Sequence, residues 1–233
     1  MWLRSIALLL LLWTPGAAAA DKVDLALVLA VDVSASIDEN RYKLQRDGLA
    51  AAFSSDAVID AIASGEHGRI AVTLVEWSGP TNQKQIIPWT LVDGAEAARA
   101  FGSAIAESPR AFADFTSIGG AIEFSAALFA SSGFEPERRV IDVSGDGSSN
   151  SGTPLAAARE AALAQGITIN GLAILASEPR LDSYYEEYVM GGDGAFVMVA
   201  QNFETFSHAM LSKLVREIAA VPHRPRYELA ALP

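Results

Sequence analysis

The chain has 233 residues, of which 51% are apolar and 19% charged, and a formal net charge of −11. That much apolar content fills one α/β core of ordinary size and excludes a chain disordered by composition. The acidic balance argues against nucleic acid or anionic lipid as a partner, and the absence of cysteine excludes disulfides, a thiol nucleophile and a cysteine zinc site.

Residues 1–20 have the layout of a secretory signal peptide. Arg4 supplies the positive start, Ile6–Trp13 the apolar run, Pro15-Gly16 the break, and Ala18-Ala19-Ala20 the small residues before Asp21. The run is too short to span a bilayer as an ordinary helix, and no second long apolar stretch follows, so no stable membrane insertion is expected after cleavage, the alternative being an uncleaved N-terminal anchor. An exported chain without disulfides points to the periplasm or a secreted setting. The expected organisation is a signal peptide at 1–20, one domain at 21–220 and a flexible tail at 221–233, where proline recurs without periodicity.

Within the domain, Val23–Val31 reads as a strand buried on both faces. Glu39–Phe53 has helical spacing. Arg69–Trp77 is a second strand, followed by a turn at 79–82 and a short returning strand, Gln85–Trp89, limited by Pro88 and therefore placed at an edge. Helices are expected at Ala95–Ile105 and Thr116–Ala130, and a buried strand at Arg139–Ser144. Thr153-Pro154 reads as a helix start with Thr153 as the capping residue, and Gly166 as that helix's end. A strand at Ile167–Leu175, a helix at Leu181–Val189, a strand at Phe196–Val199 and a helix at Glu204–Ala219 complete the chain. This alternation predicts a doubly wound α/β fold: a mostly parallel central sheet, one antiparallel edge strand, and helices on both faces.

Three segments carry the chemistry: Asp32-Val33-Ser34-Ala35-Ser36 after the first strand, Thr116 at a helix start, and Asp146-Gly147 after the strand 139–144. Loops beyond the carboxyl ends of strands converge where open α/β sheets bind ligands. Their donors are carboxylates and hydroxyls, hard oxygens suited to Mg²⁺, Mn²⁺ or Ca²⁺. Alternation lets Asp32, Ser34 and Ser36 face one way. Each residue also has a structural reading: Ser36 opening a capping box with Glu39, Thr116 capping a helix, Asp146 steadying a turn. Asp142 is either a buried supporting carboxylate or a partly exposed strand residue. Asp114 reads as a solvated loop residue or a support for the site. Gly191-Gly192-Asp193-Gly194 reads as a turn, and Tyr184, Tyr185 and Tyr188 crowd one helix.

The pattern Asp-x-Ser-x-Ser at 32–36, with Thr116 and Asp146-Gly147, resembles the metal ion-dependent adhesion site of von Willebrand factor A domains, over about residues 23–219. The resemblance implies that Ser34 and Ser36 bind the metal directly. It implies that Thr116 does so directly or through water, and that Asp32 and Asp146 act mostly through water or hydrogen bonds. It also implies an open coordination position, filled by an acidic side chain of a protein partner. The third loop continues Ser148-Ser149-Asn150 without a further acidic residue, a departure from better-known members. The expected function is a non-enzymatic binding module. The alternatives are a metal-dependent hydrolase, against which stands the lack of a His or Lys placed beside Ser34, and a structural subunit with a vestigial site.

Overall fold

The computed structural model describes residues 20–219. The signal-peptide reading, apart from Ala20, and the tail reading lie outside the described residues. Among the described residues no helix is long and apolar enough to cross a membrane.

In chain order the elements are β1 (Asp21–Val23), β2 (Leu25–Asp32), α1 (Glu39–Phe53), α2 (Asp56–Ala63), β3 (Ile70–Trp77), β4 (Gln83–Val92), α3 (Ala95–Glu107) and α4 (Ile118–Leu128). They continue as β5 (Phe134–Pro136), β6 (Arg139–Gly145), α5 (Leu155–Ala164), β7 (Ile167–Ile174), α6 (Leu181–Tyr184), β8 (Val197–Ala200) and α7 (Phe206–Ala219). The central sheet has the order β4-β3-β2-β6-β7-β8. All its pairs are parallel except β3 with β4, which is the antiparallel edge strand. The doubly wound, mostly parallel α/β architecture is as expected.

Side-chain alternation along β2 divides the core. Leu25, Leu27 and Leu29 pack with Leu49, Phe53, Val58, Phe101, Phe206 and Leu214, from α1, α2, α3 and α7. Ala26, Val28 and Ala30 face the other way, onto Ile118, Ile122, Ala158, Leu181 and Tyr185, from α4, α5 and the segment at α6. The second face is built from smaller side chains, which lets α4 come close. A Cβ on Gly119 would stand 2.1 Å from the carbonyl oxygen of Thr153.

Several boundaries differ from the sequence reading, each for a local reason. The first strand breaks at Asp24, whose carboxylate turns aside to accept the backbone N–H of His67 (2.9 Å) and Arg69 (3.2 Å); β1 pairs instead with β5 in a small parallel sheet. The unanticipated α2 starts at Ser55, whose hydroxyl accepts the N–H of Val58. Strand β4 does not stop at Pro88. Its register with β3 jumps from Ile87 opposite Leu74 to Thr90 opposite Val72, so Pro88 sits in an edge bulge where a missing N–H costs no ladder bond. Pro154, not Thr153, stands at the cap of α5, and the Thr153 hydroxyl donates to Glu123 instead. Gly166 does end that helix, at φ 69°. After α6 the chain widens into a π-helical turn over Tyr185–Val189, with Met190 N–H donating to Tyr185 O.

A buried ionic cluster fastens α7 to the sheet. Lys213 Nζ lies 2.7 Å from Asp142 Oδ1 and 3.1 Å from Glu217 Oε1, all three side chains being buried. Asn170 Nδ2 donates to the same Glu217 oxygen at 2.6 Å, and Arg138 Nη2 donates to the carbonyls of Glu217 and Ile218. Asp142 is thus the buried carboxylate of the two readings, but its partner is α7. Burial raises its pKa, against the pull of Lys213. Lys213 is the cation within ion-pair distance of both carboxylates, so Lys213→Met should leave Asp142 uncompensated and cost about 3–5 kcal/mol in chemical denaturation. A loss below about 1 kcal/mol would show that the cluster does not hold the helix.

Candidate metal centre

The site lies where the strand order reverses, between β2 and β6. Asp32 is the last residue of β2, and Asp146 follows the last residue of β6. Both carboxylates are fully buried. Gly145 is needed between them, because a Cβ there would stand 2.9 Å from Asp32 Oδ2 and 2.8 Å from Tyr185 Oη.

Backbone and side-chain bonds gather all five expected residues into one crossing of loops. Asp32 Oδ1 accepts the N–H of Ser34 at 2.7 Å, which folds the first loop back. The hydroxyls of Ser34 and Ser36 stand 3.2 Å apart, and Ser36 Oγ donates to Asp146 Oδ1 at 2.6 Å, joining the first loop to the third. Ala35 N–H donates to Asp114 O, joining the first loop to the second. The second and third loops meet at Thr116: its N–H donates to Asn150 Oδ1, and its carbonyl accepts Asn150 N–H and the Ser151 hydroxyl. These bonds hold the backbone of Thr116 and leave its hydroxyl without a hydrogen-bond partner among the described residues.

The structural readings of the same residues are corrected. Helix α1 is capped by Asp38, which accepts Arg41 N–H, so Ser36 opens no capping box with Glu39. Helix α4 is capped by Ser117, which accepts Gly120 N–H, so Thr116 is not its cap. Asp114 is not merely solvated: it accepts a side-chain N–H from Asn82 at 2.9 Å while its carbonyl holds Ala35. Gly192 and Gly194 take positive φ angles around Asp193, the geometry of a turn.

Other contributors were not anticipated. Ser177 Oγ donates to Asp146 Oδ2 at 3.1 Å. Glu178 accepts both the N–H and hydroxyl of Ser148, and Tyr184 Oη accepts the N–H of Ser149, steadying the third loop. Arg110 Nη2 donates to the carbonyls of Val33 and Ser34. Of the three tyrosines near α6, Tyr185 is buried and Tyr188 is 49% exposed.

The donor set fits a hard cation. Among the described residues no group of three or more carboxylate or imidazole side chains stands ready to hold an ion, so hydroxyl oxygens would have to supply part of any cation's shell. Asp32 Oδ2 is buried without a hydrogen-bond partner. A carboxylate oxygen in that position is costly unless a cation or ordered water meets it. Burial raises the Asp32 pKa from 3.8 to about 7; the Ser34 N–H and hydroxyl pull it down, and the charge of Asp146 pushes it further up.

The sign of the resulting pH dependence is fixed. The unfolded chain releases this proton near pH 3.8 and the folded one near 7, so this contribution to stability is complete below about pH 4 and is lost as pH rises through about 7. In EDTA, Asp32→Asn should therefore gain on the wild type from about pH 4 to about pH 7, by at most roughly 4 kcal/mol. Denaturation profiles that stay parallel across that range would contradict the assignment.

The arrangement is that of a von Willebrand factor A-like fold, and solved structures agree. Proximal thread matrix protein 1 from the mussel byssus, in a structure described as having a zinc-occupied MIDAS motif, superposes at a TM-score of 0.65 with 18% identity over 88% of this chain and 50% of that one. The vWF domain of the type V pili tip protein Mfa5 from Porphyromonas gingivalis gives 0.60, with 11% identity over 89% and 98%. The von Willebrand factor type A protein from Catenulispora acidiphila gives 0.58, with 17% identity over 84% and 43%. The chain spans about half the length of the byssus protein. No curated protein matches the sequence. Residues 22–222 match a family model, and the chain belongs to the family described as "Protein of unknown function (DUF1194)".

Proposed function

We propose that this chain is an exported, non-enzymatic binding module that holds a divalent cation, Mg²⁺ or else Mn²⁺ or Ca²⁺, and uses it to grip an acidic side chain of a protein partner. The observation that carries this reading is the orphaned, buried Asp32 Oδ2 beside hydroxyls that are already positioned, with Ser36 braced on Asp146. Ser34, Ser36 and Thr116 would supply neutral oxygens to the ion, and Asp32 and Asp146 would balance its charge from behind. With few anionic ligands the ion stays electrophilic, and it would invert the local sign of an acidic protein. The zinc-occupied motif of the byssus protein lends support to a cation at this place.

Ser34 Oγ stands beside the Ser36 hydroxyl and the Asp32 carboxylate, with no histidine or lysine bonded to it among the described residues, which favours binding over nucleophilic catalysis. The hollow beside the third loop, about 610 Å³ and lined by residues that include Arg180, Tyr184 and Tyr188, offers room for the partner's residues flanking its acidic group. Export to the periplasm or beyond follows from the signal-peptide layout of residues 1–20.

Calorimetry should show one Mg²⁺ per chain, weakened at least about tenfold by Ser34→Ala and by Asp32→Ala while circular dichroism stays unchanged. Equal affinity in both variants would refute the site. A pull-down from envelope extract should release its partner on chelation; retention of every bound protein in EDTA would refute the metal bridge.

A further inference from the structure

Arg41 is a cation placed against the site at a helix position that disfavours positive charge. It lies in the first turn of α1, where the positive end of the helix dipole disfavours a basic side chain. Its side chain folds back toward the helix start, as side chains in a first turn do. Nη1 donates to the carbonyl of Ser36 at 2.9 Å and stands 3.6 Å from Asp146 Oδ2. The guanidinium lies 5.2 Å from the centre of the Phe203 ring, and Nε is 3.7 Å from Asp38, which is largely solvated. Arg41 is thus fixed on several sides, though its side chain remains 34% exposed.

The two oxygens of Asp146 have different occupants. Oδ1 takes the Ser36 hydroxyl, on the side of the hydroxyl cluster; Oδ2 takes Ser177 and faces Arg41. Arg110 touches the same loop but bonds only to carbonyls. Among the described residues, Arg41 alone stands within ion-pair distance of a carboxylate of the site.

From this geometry we infer that Arg41 is the resident cation of the centre. It neutralises Asp146 when no metal is bound, and it holds down the affinity for a divalent ion that shares the same carboxylate. The inference rests on the metal reading given above. A fixed positive charge near an incoming dication repels it through a partly buried path that solvent screens incompletely. The same charge offsets the repulsion between two buried carboxylates in the metal-free protein. Arg41 therefore trades metal affinity for stability of the empty site, which makes the module responsive to cation concentration instead of permanently loaded.

The test compares wild type with Arg41→Gln, Arg41→Lys and, as a control for net charge alone, Arg99→Gln, whose exposed side chain pairs with Asp56 on another part of the surface. Mg²⁺ is titrated by calorimetry, and melting is followed in EDTA and in saturating Mg²⁺. Arg41→Gln should bind Mg²⁺ about fivefold to tenfold more tightly at low salt, with the difference shrinking as salt rises. It should melt lower than wild type in EDTA and close most of that gap in Mg²⁺. Arg41→Lys should bind Mg²⁺ more tightly than wild type but less tightly than Arg41→Gln, and Arg99→Gln should stay near wild type. If wild type binds Mg²⁺ and Arg41→Gln binds it equally or more weakly, Arg41 is not a competing cation, whatever the metal site does. If Arg41→Gln does not fold, a looser Mg²⁺ affinity in wild type than in Arg41→Lys sustains the inference, because the lysine's point charge loses the guanidinium's fixed seat; a tighter or equal one overturns it. A wild type that binds neither Mg²⁺ nor Mn²⁺ overturns the metal reading itself, and this inference with it.

Discussion

The hydrogen bond from Ser36 Oγ to Asp146 Oδ1 ties the loop after β2 to the loop after β6 across 110 residues of sequence. It spans the point where the strand order reverses, and the neighbouring bonds build on it. Asp32 folds the first loop so that Ser34 lies beside Ser36. Asn150 draws Thr116 against the third loop from the other side. The cost of the arrangement is two carboxylates taken out of water close together, and it shows in the raised pKa of Asp32. A group of this kind is tolerated where its charge meets a counter-charge, here Arg41 at one oxygen of Asp146 and, on the proposed reading, a divalent ion at the hydroxyl side.

The rest of the fold serves that junction by keeping its floor rigid. On one face, small residues and glycines let α4 approach until Gly119 touches the backbone at Thr153, which fixes the loop carrying Thr116 relative to the third loop. On the other face, aliphatic and aromatic packing holds α1, α3 and α7. The cluster of Asp142, Lys213, Glu217 and Asn170 adds a directional constraint to α7 that apolar packing lacks. Asp142 and Asp146 share a strand and its following loop yet belong to different networks, one pairing with a lysine and one with the hydroxyls of the site.

Much of the site was legible in the sequence because strands project residues with a period of two. Asp32, Ser34 and Ser36 follow an uninterrupted apolar strand, and Asp146 follows another, so their convergence could be read from topology alone. What was hidden depends on partners distant in sequence. Lys213 and Glu217 stand four apart on a helix and look like an ordinary surface pair; only their burial against Asp142 reveals the cluster. Arg41 looks like a solvent-facing helix residue until Asp146 is placed beside it. Ser177 and Glu178 sit in a segment with no pattern of its own. The break at Asp24 and the bulge at Pro88 follow from single side chains that find backbone partners or lack an N–H, which no periodicity records.

On the proposed reading, the crossing of these loops is a cation site made of hydroxyls in front of two buried carboxylates. Crystals soaked in Mn²⁺ and measured for anomalous scattering test it directly. One strong peak should appear among Ser34 Oγ, Ser36 Oγ and Thr116 Oγ1, at oxygen distances of about 2.1–2.3 Å. It should vanish in Ser34→Ala crystals given the same soak. Full-occupancy Mn²⁺ at another place, or no peak at this one in crystals that remain intact, would contradict the account.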